Sequence, residues 1–139
     1  MPLNERASAI THMIVVSDIE RSKRWYLDVL GCSLYGEYGG TSVVLDWNGS
    51  WFLLVTGGGP TEDKPDVTLE APTEPARTAR STIFRVDDCR ALYEELKNEG
   101  VDFLTEPVDH GYEIRAFFRD PDGHLYEISE LVGQATASG

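Results

Sequence analysis

Residues 16–22 read Val-Ser-Asp-Ile-Glu-Arg-Ser, and residues 86–92 read Val-Asp-Asp-Cys-Arg-Ala-Leu. Each stretch follows a short apolar run, carries an aspartate two positions after its valine, and leads into apolar residues at helical spacing. The two stretches lie 70 positions apart, and the glycines that end the predicted helices, Gly31 and Gly100, lie 69 apart. A repeat of this length predicts that one structural unit occurs twice.

The first copy is predicted to form one strand, one helix and three further strands. Ser17 and Glu20 match a capping box, which places a helix start immediately after the first strand. Asn48-Gly49 favours a tight hairpin between the last two strands. The predicted bounds are a strand at 9–17, a helix at 18–30, and strands at 33–38, 41–47 and 50–57.

The second copy repeats this order. Either Asp87 or Asp88 caps its helix, and residues 120–123 (Asp-Pro-Asp-Gly) are typical of a type I turn. The predicted bounds are a strand at 80–86, a helix at 88–99, and strands at 101–105, 112–119 and 124–131. The pattern therefore indicates an α+β fold made of two βαβββ repeats.

These repeats predict the organisation of the chain. The first βαβββ module spans 9–57 and the second spans 80–131. The segment 58–79 between them is rich in proline and glycine, which favours either a lid or a flexible crossover. Residues 132–139 are expected to form a disordered tail.

Composition limits the classes of partner. The chain has 139 residues, 24 acidic against 12 basic side chains, and a net charge of −12. This charge argues against a nucleic-acid partner, and it suits either a cationic ligand or simple solubility. No apolar run approaches the roughly 20 residues that a membrane helix needs. The two cysteines lack paired spacing and the first residues lack a secretion pattern, so a cytoplasmic protein is expected.

The stretch from Val16 to Gly31 and the closing run from Phe118 to Ile128 together resemble the vicinal oxygen chelate superfamily. That superfamily includes glyoxalase I, extradiol dioxygenases, fosfomycin-resistance enzymes and bleomycin-binding proteins. The resemblance implies curved mixed sheets around a cavity, the glyoxalase/bleomycin resistance/dioxygenase fold, and a homodimer. The stretch from Gly57 to Pro65, with Trp51 before it, further resembles an uncharacterised glyoxalase-like subgroup.

The resemblance also implies a divalent metal (Mn, Fe, Ni, Zn or Co), held by a His on the first strand of each module and a Glu on the last. Glu127 matches the last-strand carboxylate. The two His positions hold Thr11 and Ser81, and the fourth ligand position falls on Leu53 or Leu54. His12 is one residue out of register, so it becomes a metal ligand only through a bulge and otherwise packs under the helix layer.

Without a metal, Glu127 needs another partner, for which the candidates are Arg85 and Arg115. His110 is placed at the cavity mouth, and His124 is expected to face away from it. The residues expected to line the cavity are Thr11, Met13, Trp51, Ser81, Arg85, Tyr112, Arg115 and Phe117.

Three functions fit these residues. The first is a protein that binds a small molecule, cationic or aromatic, in the cavity between the modules and has a degenerate metal site. The second is a metal-dependent lyase or dioxygenase with an altered ligand set that uses Glu127, His12 and His110. The third is a metal-free enzyme in which Glu127 is the general base and acts beside Arg115 or Tyr112.

Overall fold

The computed structural model describes residues 2–133. The chain divides after Ala71 into two compact units, Met1–Ala71 and Pro72–Gly139. The predicted segment 58–79 is therefore shared between the units. Of the predicted tail, Val132 donates its amide hydrogen to the Tyr112 carbonyl at 3.0 Å, and residues 134–139 lie outside the described range.

The first unit opens with a short 3-10 helix, Leu3–Glu5, which was not predicted. Its remaining elements are β1 (Thr11–Val15), α1 (Ile19–Asp28), β2 (Ser33–Tyr38), β3 (Ser42–Trp47) and β4 (Ser50–Val55). The sheet order is β1-β4-β3-β2, in which β1 and β4 are parallel and the other pairs antiparallel. The predicted βαβββ order is confirmed.

The second unit contains β5 (Thr82–Arg85), α2 (Cys89–Asn98), β6 (Asp102–Phe103), β7 (Val108–Asp109), β8 (Glu113–Arg119) and β9 (Leu125–Leu131). Its sheet order is β5-β9-β8-β6, and β7 also pairs with β8. The single strand predicted at 101–105 is thus replaced by two short edge strands. Pro107 lies between them, and proline cannot supply the amide hydrogen that continuous pairing requires.

Both helices begin at an aspartate. The Asp18 side chain accepts a hydrogen bond from the Arg21 amide at 3.1 Å, so Asp18 and not Ser17 caps α1. The Ser17 hydroxyl instead accepts from the Arg21 guanidinium at 2.9 Å. Asp88 caps α2 in the same way, accepting from the Ala91 amide at 3.0 Å, which decides between the two predicted candidates.

Each helix covers one face of its own sheet and leaves the opposite face without a helix. Tyr26 of α1 is fully buried, and its ring centroid lies 5.8 Å from that of Phe52. In the second unit Tyr93 packs edge-to-face on Phe103 at 4.8 Å, and Phe103 lies beside Phe118. We call the other side of each sheet its open face. No helix in the described part of the chain is long and apolar enough to cross a bilayer.

Candidate functional site

The open face of the second unit is formed by alternate residues of β5, β8 and β9. Phe118 lies on the α2 side, so its neighbour Phe117 points to the other side. The pairing register then sets Ile83 and Phe117 on either side of Glu127, and Arg85 and Arg115 on either side of Ser129. We call this set the polar face; its members are Ile83, Arg85, Glu113, Arg115, Phe117, Glu127 and Ser129.

Glu113 is the centre of a hydrogen-bonded cluster on the polar face. The Ser129 hydroxyl donates to Glu113 Oε1 at 2.5 Å and accepts from Arg85 Nη1 at 2.7 Å. Arg115 Nη1 donates to Glu113 Oε2 at 3.0 Å, and Arg85 Nη1 lies 3.4 Å from Oε1. The Ser129 hydrogen bond and then Arg115 lower the pKa of Glu113, so this carboxylate is held ionised.

Glu127 lies beside this cluster but outside it. The residue is only 6% exposed, and none of the described side chains or amides makes a hydrogen bond or ion pair with its carboxylate. Burial raises the pKa of Glu127, and the Glu113 charge raises it further, against weaker opposing effects of Arg115, Arg85 and His110. The site therefore holds a largely buried glutamate whose carboxylate receives no hydrogen bond from the described residues.

The predicted pairing of Arg85 with Glu127 is not what the structure shows. Arg85 lies opposite Ser129, one step further along β9, and its guanidinium reaches Ser129 and Glu113 instead. Arg115 likewise uses Glu113, and its guanidinium carbon lies 5.9 Å from the centre of the Phe117 ring. The structure thus brings four predicted residues together, Arg85, Arg115, Phe117 and Glu127, but around a different carboxylate.

A second polar group on this side also lacks a partner. Arg119 continues the alternation of Arg115 and Phe117 along β8, opposite Leu125. Its Nε atom is buried and finds no hydrogen-bond acceptor among the described residues. Buried donors are normally satisfied, so this N–H is an exception among the described residues.

The remaining second-unit candidates lie at the margin of the polar face. Ser81 precedes β5 and is exposed, and Tyr112 is 61% exposed in the turn before β8. His110 donates its amide hydrogen to the Glu113 carbonyl at 2.8 Å, and its ring lies 6.4 Å from that of Tyr112. His110 is the weakest of the charges that lower the pKa of Glu127.

The open face of the first unit is apolar by comparison. Thr11 lies opposite Trp51, and Met13 lies opposite Leu53, so the three predicted residues Thr11, Met13 and Trp51 share this face. The Trp51 ring packs edge-to-face on Tyr35 at 5.1 Å. Met13 is 51% exposed and Tyr35 is 67% exposed, which leaves an accessible apolar and aromatic surface.

His12 lies on the opposite side of β1 from Thr11. It pairs with Phe52, and the two ring centroids are 5.6 Å apart in the layer that α1 covers. The register of β1 against β4 is regular over all five pairs, so the bulge that would turn His12 to the open face is not present. His12 therefore packs under the helix layer.

The structure also decides which residue of the first unit corresponds to Glu127. Ile83 pairs with Glu127 and Met13 pairs with Leu53, and positions 13 and 83 are equivalent in the repeat. Leu53, not Leu54, thus occupies the fourth ligand position, and Leu54 is buried on the α1 side.

The metal positions that the resemblance implies therefore hold Thr11, Leu53, Ser81 and Glu127. Of these, only Glu127 is a ligand that Mn, Fe, Ni, Zn or Co would select. Residues 2–133 contain no group of three or more His, Cys, Asp or Glu that could hold a metal ion, so they do not fit the metal centre.

Two functional candidates in the structure, Glu113 and Ser129, are not among the residues that the sequence analysis predicts. Their signal is the alternation Glu113-x-Arg115-x-Phe117 on one strand and Glu127-x-Ser129 on the other. Once Glu127 is assigned to the open face, this period of two assigns Ser129 as well. Glu113 was missed because it stands at the strand end, where the parity of a side chain is hardest to assign.

Comparison with known proteins agrees with this architecture. The family model described as Glyoxalase/Bleomycin resistance protein/Dioxygenase superfamily matches residues 9–128. The chain belongs to this superfamily. The uncharacterised protein YetH of Bacillus subtilis is 22% identical to this chain over 122 residues, which cover 86% of this chain and 95% of YetH.

Two solved structures show the same fold at low sequence identity. The fosfomycin resistance protein FosX from Listeria monocytogenes aligns with a TM-score of 0.67 and 16% identity, covering 91% of this chain and 94% of FosX. TnmS3, an antibiotic binding protein from a Streptomyces strain, aligns with a TM-score of 0.64 and 21% identity, covering 91% of this chain and 97% of TnmS3.

Proposed function

We propose that this protein binds a small organic molecule on the polar face, with Glu127 accepting a hydrogen bond from the ligand and without a metal ion. The observation that carries this proposal is Glu127, a residue that is only 6% exposed and whose carboxylate receives no hydrogen bond from the described residues. A ligand N–H or O–H group would supply the hydrogen bond that the chain does not.

The chemistry of the face suggests the ligand class. A protonated amine or hydroxyl suits Glu127, while the Phe117 ring offers a surface on which an aromatic group can stack. We therefore favour a cationic or hydroxylated aromatic ligand. TnmS3, whose fold this chain shares, is an antibiotic binding protein, and this supports a binding function.

Binding is best tested with planar aromatic probes of different charge. Proflavine (a cation) and anthracene carboxylate (an anion) are titrated while their fluorescence anisotropy is followed. Proflavine is expected to bind saturably, and Glu127→Gln is expected to weaken binding about tenfold, the effect of losing one hydrogen bond to a charged group. Glu94→Gln, at an exposed position on α2, is the matched control and should not change the affinity.

The same preparation tests the alternative of a metal-dependent lyase or dioxygenase. Metal content is measured on protein purified without added metal and again after titration with Mn, Fe, Ni, Zn and Co. Near-stoichiometric metal that disappears in Glu127→Gln would overturn the metal-free proposal. Equal proflavine affinity in the wild type and in Glu127→Gln would remove Glu127 from the binding site.

We also propose that the protein is a cytoplasmic homodimer. Exposed apolar side chains on the open face of the first unit, such as Tyr35, support association because surfaces of this kind are often covered by a partner. Cys32 and Cys89 are both buried free thiols, which suits a reducing compartment. Sedimentation velocity tests the oligomeric state, and a monomer at every concentration would contradict it.

A further inference from the structure

The segment after β4 folds into a closed loop on the first unit. Gly58 and Leu69 exchange two backbone hydrogen bonds of 2.9 Å, and Thr61 and Lys64 exchange two of 3.2 and 3.1 Å. The base of the loop is tight, because a Cβ atom at Gly57 would lie 2.4 Å from the Leu69 carbonyl oxygen. Residues 57–69, which we call the flap, are therefore closed on themselves by backbone hydrogen bonds.

A cleft of about 250 Å³ lies under the flap. The sheet side contributes Met13, Ser42 and Val55, and the flap side contributes Thr61, Lys64 and Leu69. This volume is just below the roughly 300–1,000 Å³ of typical ligand pockets, so it suits a compact molecule. The lining combines an apolar floor with hydroxyl groups and one cationic side chain.

Lys64 is the charged group of this cleft. Its ammonium donates to the Gly59 carbonyl at 2.9 Å, and an ammonium has three donors, so two remain. No carboxylate among the described residues comes within 4.0 Å of it, although the chain has twice as many acidic as basic side chains. The neighbouring Asp63 accepts instead from the Thr61 hydroxyl at 2.6 Å.

We propose that the cleft under the flap is a binding site for a small organic carboxylate, with the carboxylate group on Lys64 and a short apolar body against Met13, Val55 and Leu69. All residues that line the cleft belong to the first unit, whereas Glu127 belongs to the second unit. The proposal therefore does not depend on what the polar face binds.

Chemical-shift mapping of the full-length protein tests the site. Benzoate is titrated into ¹⁵N-labelled protein, with benzamide as the neutral analogue and acetate as the analogue without an apolar body. Benzoate is expected to shift the amides of the flap saturably, with a dissociation constant in the range of about 1 mM that suits so small a ligand. Benzamide and acetate should each bind several-fold more weakly.

Two variants of Lys64 distinguish specific binding in the cleft from a general effect of protein charge on benzoate. Lys64→Gln is expected to weaken benzoate binding about tenfold, whereas Lys64→Arg should retain most of it. The control is Lys23→Gln in the same unit, since Lys23 already pairs with Glu20 and Glu37 and should not affect binding.

Three results would each overturn this assignment. One is the absence of saturable flap shifts at about ten times the expected dissociation constant, where a real site would be more than 90% filled. The second is equal binding of benzoate and benzamide, because the negative charge of the ligand would then make no contact with Lys64 that matters for affinity. The third is a set of shifts confined to residues of the second unit.

Discussion

Ser129→Ala removes the hydroxyl that joins Glu113 to Arg85 on the polar face. Ser129 is fully buried, and the substitution deletes a 2.5 Å hydrogen bond to Glu113 and a 2.7 Å hydrogen bond from Arg85. A hydrogen bond to a charged group contributes about 1.5–3 kcal/mol to the free energy of unfolding. The Arg85 side chain is 44% exposed, so water replaces most of what it loses. The expected loss is therefore roughly 2–3 kcal/mol, mainly from the Glu113 bond.

Urea denaturation followed by circular dichroism measures this loss. With a slope of about 2 kcal/mol/M, the midpoint should fall by about 1–1.5 M at neutral pH. Because the Ser129 hydrogen bond is the main cause of the lowered Glu113 pKa, its contribution is present above the ordinary glutamate pKa and is lost as pH falls through the folded value. The difference between wild type and Ser129→Ala should therefore shrink below about pH 4.

Ser50→Ala, at an exposed position that begins β4, is the control and should change the free energy of unfolding by less than about 0.5 kcal/mol. A midpoint shift for Ser129→Ala no larger than that of the control would refute the reasoning. So would a loss that stays constant from neutral to acid pH, because the hydroxyl would then stabilise the fold without acting on the Glu113 charge.

Three further perturbations have defined outcomes. Gly57 has a φ of +81°, and in Gly57→Ala the new Cβ would lie 2.4 Å from the Leu69 carbonyl oxygen, so hydrogen exchange of the flap amides should accelerate. Gly59→Ala, which has open space around the new Cβ, should not accelerate this exchange. In Glu127→Gln the penalty of burying a charge is removed. Because the folded pKa of Glu127 is raised, wild-type stability is lost as pH rises above the ordinary glutamate value of about 4, and the urea midpoint of the variant should gain on that of the wild type in that direction. Asp88→Ala removes a helix cap and should cost about 1 kcal/mol in the same assay, against little change for Asp87→Ala.

The repeat and the element order could be predicted because they depend on local patterns. Alternating apolar residues, the glycines after each helix and the Asp-Pro-Asp-Gly turn each act over a few residues, and the structure has them where the patterns place them. The helix caps illustrate the limit of such patterns. Ser17 and Asp18 are both good caps, and the choice of Asp18 depends on backbone geometry that composition does not specify.

The partners of the charged residues could not be predicted in the same way. Strand parity correctly assigns Arg85 and Glu127 to one face, but parity does not say which of two carboxylates a long guanidinium reaches. That choice depends on the position of Ser129, whose hydroxyl bridges Arg85 and Glu113. The folding of the flap was equally hidden, since it depends on backbone hydrogen bonds between residues 11 positions apart.

The two units share one architecture but differ in chemistry at an equivalent position of their parallel strand pairs. Leu53 and Glu127 occupy equivalent positions, each opposite an apolar residue of the first strand. The residues around the two positions differ: Trp51 and Tyr35 pack together in the first unit, whereas Arg85 and Arg115 bind Glu113 beside Glu127 in the second. A leucine at this position needs only burial, whereas a buried glutamate is costly without a hydrogen bond or a counter-charge. For this reason, transferring Glu127 into the first unit as Leu53→Glu should destabilise that unit without creating a second polar site.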